Sequence, residues 1–171
     1  MALLLAAVAC SSSNAPTTAP TAKQSPPTFE ELQSQLGHKL ARPAASLGAE
    51  LRQTGLLQRS GDTFGDRSAA TSYLWRGYVA ILRQGKPVAG FTLRSKVSRS
   101  DAIYETRADG AEEVFLPARP PSGASPNPAT AVASALVLHN GWLVQVSMAG
   151  NSSVGVVSTA TLKTFVAGVE L

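Results

Sequence analysis

Cysteine occurs once in the 171 residues, at Cys10, and histidine only twice, at His38 and His139. One thiol excludes a disulfide framework and a four-thiolate zinc site. Two histidines far apart in the chain leave little for an imidazole-based metal or acid–base site. Charged side chains are also scarce, at 15% against the usual quarter or so. No apolar stretch reaches the roughly 18 residues that a membrane-spanning helix requires. The familiar glycine-rich phosphate loops, HExxH, CxxC, EF-hand, GxSxG and SxxK patterns are all missing, so the sequence implies no cofactor and no common hydrolase signature. What is present is 44% hydrophobic residues, too many for wholesale disorder, in a length that suits one domain.

The first feature with chemical content is at the N-terminus. Residues 2–9 read Ala-Leu-Leu-Leu-Ala-Ala-Val-Ala and end in small residues directly before Cys10. That run is too short to span a bilayer but fits the apolar core of a secretory signal. Ala7-Val8-Ala9-Cys10 resembles the lipobox of bacterial cell-envelope lipoproteins. Val8 and Ala9 match it, Ala7 stands where leucine is usual, and no Lys or Arg precedes Lys23. The resemblance implies cleavage before Cys10, a diacylglyceryl group on its thiol, and a partner in the membrane itself, on the extracytoplasmic face. Residues 11–28, rich in Ser, Thr, Pro and Ala, contain no large apolar side chain and read as a disordered tether. The expected division is a signal peptide at 1–9, the lipidated Cys10 and tether at 10–28, and a globular domain at 29–171.

Thr28 followed by Glu31 forms a capping box for a helix whose Phe29, Leu32, Leu36 and Leu40 share one stripe. Pro43 predicts the first turn of a second helix, with Ala44, Leu47 and Leu51 facing together. Residues 56–70 read as a loop. From Thr71 the period changes to two. Residues 73–83 and 88–99 are expected to pair as strands around Gly85-Lys86, with Trp75, Val79, Arg94 and Lys96 on the face opposite Leu74, Ala80 and Leu82. Asp109-Gly110 predicts a second hairpin, with Tyr104 opposite Phe115, and Asn140-Gly141 a third, with Leu138 opposite Leu143. A closing helix over 160–169 is expected to turn Leu162, Phe165, Val166 and Val169 inward. Consecutive hairpins with helices at both chain ends give an α+β fold, an antiparallel sheet packed by N-terminal helices and a C-terminal one. Residues 135–146 and the helix after them look like the last hairpin and helix of small extracytoplasmic sensor or lipoprotein domains. That pattern carries no functional residue over.

The net charge of +4 is unevenly placed. Residues 71–99 hold Arg76, Arg83, Lys86, Arg94, Lys96 and Arg99 without an acid, whereas Asp101, Glu105, Asp109, Glu112 and Glu113 crowd the next stretch. Adjacent basic and acidic hairpins are expected to neutralise each other across strands. An exported location argues against a nucleic-acid partner, despite the basic pI. The residues singled out as ligand or surface contacts are Trp75, Arg94, Lys96 and His139. The sequence thus suggests a lipid-anchored binding or interaction module of the envelope, its ligand or protein partner unspecified. The alternatives are an envelope hydrolase lacking a local motif, and a sensing accessory of an envelope complex.

Overall fold

The computed structural model describes residues 25–59, 61–119, 127 and 130–171. The signal segment, Cys10 and the tether through residue 24 lie outside the described residues, as does most of the Pro-rich loop between residues 117 and 128. The first element is helix α1, Phe29–Leu36. The capping box is present: the Glu31 amide donates to Thr28 Oγ1 at 3.2 Å, and the Thr28 amide to the Glu31 carboxylate at 2.7 Å. Gly37 ends the helix at φ 64°, a conformation that costs glycine little. Leu32 and Leu40 are buried together with Ala69 of the sheet, so the predicted stripe continues past the helix end.

Strand β1 is Arg42–Pro43, followed by a single 3₁₀ turn, Ala45–Leu47. The second helix expected from Pro43 is therefore not formed. Gly48 adopts φ 63° and stops the turn, and the chain extends at once into β2, Glu50–Gln58. The remaining strands are β3 (Arg67–Trp75), β4 (Tyr78–Gly85), β5 (Ile103–Thr106), β6 (Glu112–Arg119), β7 (Val132–His139), β8 (Trp142–Ala149) and the short β9 (Val169–Glu170). Seven of them form one antiparallel sheet in the order β2-β3-β4-β8-β7-β6-β5, and β1 pairs with β9 alone. The fold is α+β, built from consecutive hairpins as expected.

Three local expectations need correction. Residues 56–58 and 67–70 belong to strands, and only residues 59–66 connect β2 to β3. Residues 88–99 are not a strand. They form an excursion containing the short helix α2, Leu93–Lys96, capped by Thr92, whose Oγ1 accepts from the Ser95 amide at 3.1 Å. The cause is competition for β4. A turn at Arg76–Gly77, with φ 51° and 84°, pairs β4 with β3, and β8 occupies its other edge, so no edge is left for residues 88–99. The Asp109-Gly110 hairpin exists but is shifted by one residue, with Tyr104 opposite Val114 and Ile103 opposite Phe115. Its loop is not a two-residue turn. The Arg107 amide bonds to the Ala111 carbonyl and the Gly110 amide to that of Arg107, a type I turn closed by a left-handed glycine bulge. The Asn140–Gly141 turn has φ 50° and 75°, and the register Leu138 to Leu143 follows as predicted.

Helix α3, Thr159–Ala167, is capped by Ser158 and lays Leu162, Phe165 and Val166, each 0% exposed, on one sheet face. Val169 is buried too, but in β9 rather than the helix. Small residues of β7 beneath, Ala133 and Ala135, let the helix approach closely. Burying each of the larger side chains contributes about 1.5–3 kcal/mol. The opposite sheet face is covered over one half, where the excursions bring Phe64 and Leu93 onto Val114, Leu136 and Leu143.

Candidate functional site

The four residues singled out from sequence do not meet. Trp75 is a core residue, 1% exposed, with its ring centroid 5.2 Å from that of Phe165 and its Nε1–H donating to the Leu47 carbonyl at 3.0 Å. The Arg76–Gly77 turn causes the difference. It sets Trp75 opposite Tyr78 and Tyr73 opposite Ala80, so Trp75 joins the buried face that an uninterrupted strand would have denied it. Arg94 sits on α2 with its guanidinium 4.6 Å above the Tyr104 ring. Lys96 lies exposed at the end of that helix. His139 stands opposite Trp142 in register, yet its side chain meets Asn140. The Trp142 ring stacks on His38 instead, 4.0 Å away and parallel to within 1°. Desolvation lowers the His38 pKa, favouring the neutral form of the stacked ring. Both histidines line a hollow of about 70 Å³ with Gln84 and Asn140. No group of three potential metal ligands occurs among the described residues.

The expected cancellation between adjacent basic and acidic hairpins is not how charge is balanced. Strands β8 and β7 separate β4 from the acidic hairpin, and Arg99 at the end of the basic stretch pairs with it alongside Arg107, Arg119 and Lys163. Asp101 bridges Arg99 and Arg119, both at 2.8 Å, and these guanidiniums hold its carboxyl well below the usual range. Lys163 of α3 pairs with Glu105. Arg107 lies 3.6 Å from Asp109 and 3.7 Å from Glu113.

Glu113 is the unusual member. Its side chain is 8% exposed, and its Oε1 has no hydrogen-bond partner among the described residues. Burial raises its pKa, with Arg107 opposing and Glu105, directly across the strand pair, adding to the rise. A polar cleft of about 570 Å³ runs along this hairpin, lined by Arg94, Tyr104, Glu105, Thr106, Glu112 and Glu113. Successive strand residues point to opposite faces, so Glu112 and Glu113 leave β6 in opposite directions. Glu113 is a buried titrating group at the wall of that cleft. Its ionised form is disfavoured by folding. Its contribution is therefore complete below the ordinary value of 4.5 and is lost as pH rises through the raised pKa. Asp62 behaves oppositely, because the Arg83 guanidinium lowers its pKa from 3.8 and its contribution is lost on acidification. In urea titrations at pH values from about 2 to 7, Glu113→Gln should gain stability relative to the unmodified chain as pH rises above about 4.5, whereas Asp62→Asn should lose it as pH rises toward about 4. A pH-independent difference for Glu113→Gln would contradict this assignment.

The uncovered half of the sheet has a different character. Arg83 marks its boundary, drawn toward the covered half by Asp62 at 2.7 Å and Ser68 at 3.0 Å and lying over the Phe64 ring. Beyond it, directly opposed residues share one face. Leu74, Val79, Ala149 and Val132 form one row across β3, β4, β8 and β7, and Ser72, Ile81, Ser147 and Ser134 form the next. Val79, Ile81 and Val132 are 47%, 45% and 42% exposed. The available signal in the sequence was the run Val79-Ala80-Ile81-Leu82, apolar on both alternations, which is more than a sheet with one solvated face requires. At the β2 end the surface deepens into a trough of about 230 Å³ lined by Gln53, Gly55, Leu57, Ala70, Ser72 and Ile81.

Comparison with known proteins finds no matching family, no matching curated protein and no matching solved structure.

Proposed function

We propose that the chain is a lipid-anchored interaction module of the cell envelope, held at the extracytoplasmic face through Cys10, which docks a protein partner on the open half of its sheet. The observation that carries this reading is the pair of adjoining rows of aliphatic and small side chains across four strands, with Val79, Ile81 and Val132 exposed, on a sheet whose other face holds the main core. Strands lie about 4.8 Å apart and side chains on one face repeat every ~6.8 Å, so two rows amount to roughly 300 Å². That falls in the range of functional patches on monomers but well short of the ~800 Å² per partner of a stable complex. Docking is therefore weak and transient. Confinement of both partners to one membrane raises their effective concentration and offsets that weakness. The partner is accordingly another membrane-held protein. No cofactor and no nucleic acid enters this function.

Site-specific photo-crosslinking in native membranes tests it. A crosslinking residue at Ile81 should give a discrete protein adduct, and one at the exposed Thr164 on α3 should not. Cys10→Ser should move the chain from the membrane to the soluble fraction and reduce the Ile81 adduct by about tenfold or more, as the effective concentration falls. An unmodified Cys10 still joined to Ala9 in membrane-bound protein, or identical products from both positions, would overturn the proposal.

A further inference from the structure

Among the described residues, no strand pairs with the outer edge of β2. Unpaired edges template further pairing, and proteins blunt them with charge, proline, bulges or brevity. The other edge of the sheet is blunted in this way. Strand β5 has four residues, and its Glu105 is engaged by Lys163. Strand β2 has nine residues and is treated differently along its length. Its first turnings carry a register shift between Leu51 and Gln53 and an exposed Glu50–Arg52 ion pair at 3.0 Å. From Gln53 to Gln58 there is no charge, no proline and no bulge, and the Thr54 hydroxyl, on the face opposite Gly55, donates to the Pro27 carbonyl.

The glycine in this bare stretch has no conformational excuse. Gly55 does not have a positive φ, and a Cβ built on it would meet nothing within 4 Å. It lies opposite Ala70, and these two minimal side chains make the floor of the 230 Å³ trough. A strand glycine of this kind weakens the strand and marks a place where another group approaches closely. Large side chains on a neighbouring strand pack well over such an edge glycine. Past the end of the bare stretch stand Arg59 and Arg67, neither with a carboxylate within 4 Å among the described residues.

We propose that β2 receives an extended segment of the partner protein as a further strand of the sheet. An aromatic or large aliphatic side chain of that segment covers Gly55, and an acidic residue lies beside Arg59 and Arg67. Backbone hydrogen bonds supply affinity in such strand addition, and the side-chain pocket supplies selectivity. This rests on the interaction function proposed above and names the form its partner takes.

The test uses the full chain and short synthetic peptides of alternating Thr and Val, with a central Phe and two aspartates at either end. Control peptides carry Ala for the Phe. Hydrogen exchange of the β2 amides and fluorescence anisotropy of labelled peptide are the readouts. The Phe peptide with its acids at one end should slow exchange at Gln53–Gln58 and bind about tenfold more tightly than its Ala counterpart. Gly55→Val fills the trough with a strand-favouring side chain, so it should abolish the preference for Phe without lowering the melting temperature. Equal binding of Phe and Ala peptides, an unchanged preference in Gly55→Val, or no effect of any peptide on β2 exchange would overturn the proposal. So would β2 amides already protected in the free monomer, which would assign the edge to the chain's own N-terminal segment. Protection that appears with concentration and a doubled mass would assign it to a second copy and would overturn it equally. If strand addition fails while the Ile81 adduct persists in Gly55→Val, the open-face docking stands without it.

Discussion

Trp75→Ala is expected to lower the unfolding free energy by about 4 kcal/mol or more. The indole is 1% exposed, lies against Phe165 of α3 and is capped at its nitrogen by the Leu47 carbonyl. Truncation leaves a cavity at the junction of sheet, helix and 3₁₀ turn, and it strands a carbonyl that had a donor. Trp75→Phe bears on the two contributions, because it keeps an aromatic ring in the core and loses the N–H donor with a smaller part of the volume. Its expected cost is about 1–3 kcal/mol. Chemical denaturation of both variants checks the pair. A Trp75→Ala protein within about 1 kcal/mol of the parent would mean that the residue is not a core residue.

The second large effect is expected at Gln84, which is 4% exposed on β4. Its Oε1 accepts from the Ala41 amide at 2.6 Å, and its Nε2 donates to the Lys39 carbonyl at 3.1 Å. One side chain thereby satisfies two backbone groups of the segment between α1 and β1, in the manner of a missing strand. Gln84→Ala removes both bonds at once and should cost about 2–4 kcal/mol, since each orphaned buried polar group carries its own desolvation penalty. Exchange of the Ala41 amide should accelerate much more than that of the α3 amides. Gln84→Leu, which restores volume but neither bond, should not rescue stability. Rescue by Leu would show that packing rather than hydrogen bonding is at stake.

The parts of this fold that were legible in the sequence are those whose signal is local. Thr28 and Glu31 bond to each other, Asn140 and Gly141 both accept positive φ, and the α3 stripe spans a single helix. What failed depended on competition between segments. Residues 88–99 have strand-like alternation, yet β4 already has partners on both edges. The turn that decides this is Arg76–Gly77, and an arginine at φ 51° is a poor advertisement for it. Strand β3 begins with Arg67-Ser68-Ala69-Ala70, whose short side chains give little periodicity, although Ser68 and Ala69 are buried. The misplacement of Trp75 followed directly from the missed turn, because two residues spent in a turn invert the face of everything before it. The open half-face was least legible of all. Exposure of Val79 and Ile81 depends on how far the residue 86–102 excursion reaches across the sheet, which no local pattern encodes.

Within the sheet, β2 to β4 and β5 to β8 are two meanders contiguous in sequence, and the β4–β8 pairing is their single seam. Until β8 exists, β4 is itself an outermost strand. Its opening stretch, Tyr78-Val79-Ala80-Ile81-Leu82, contains no charge and no proline. Such a segment on a raw edge is a template for aggregation between chains. The molecule shields it only with residues 142–149, close to the end of the chain. A truncated or half-emerged polypeptide therefore carries a hazard that the finished domain does not, and a nonsense or frameshift lesion anywhere between residues 86 and 141 leaves it uncovered.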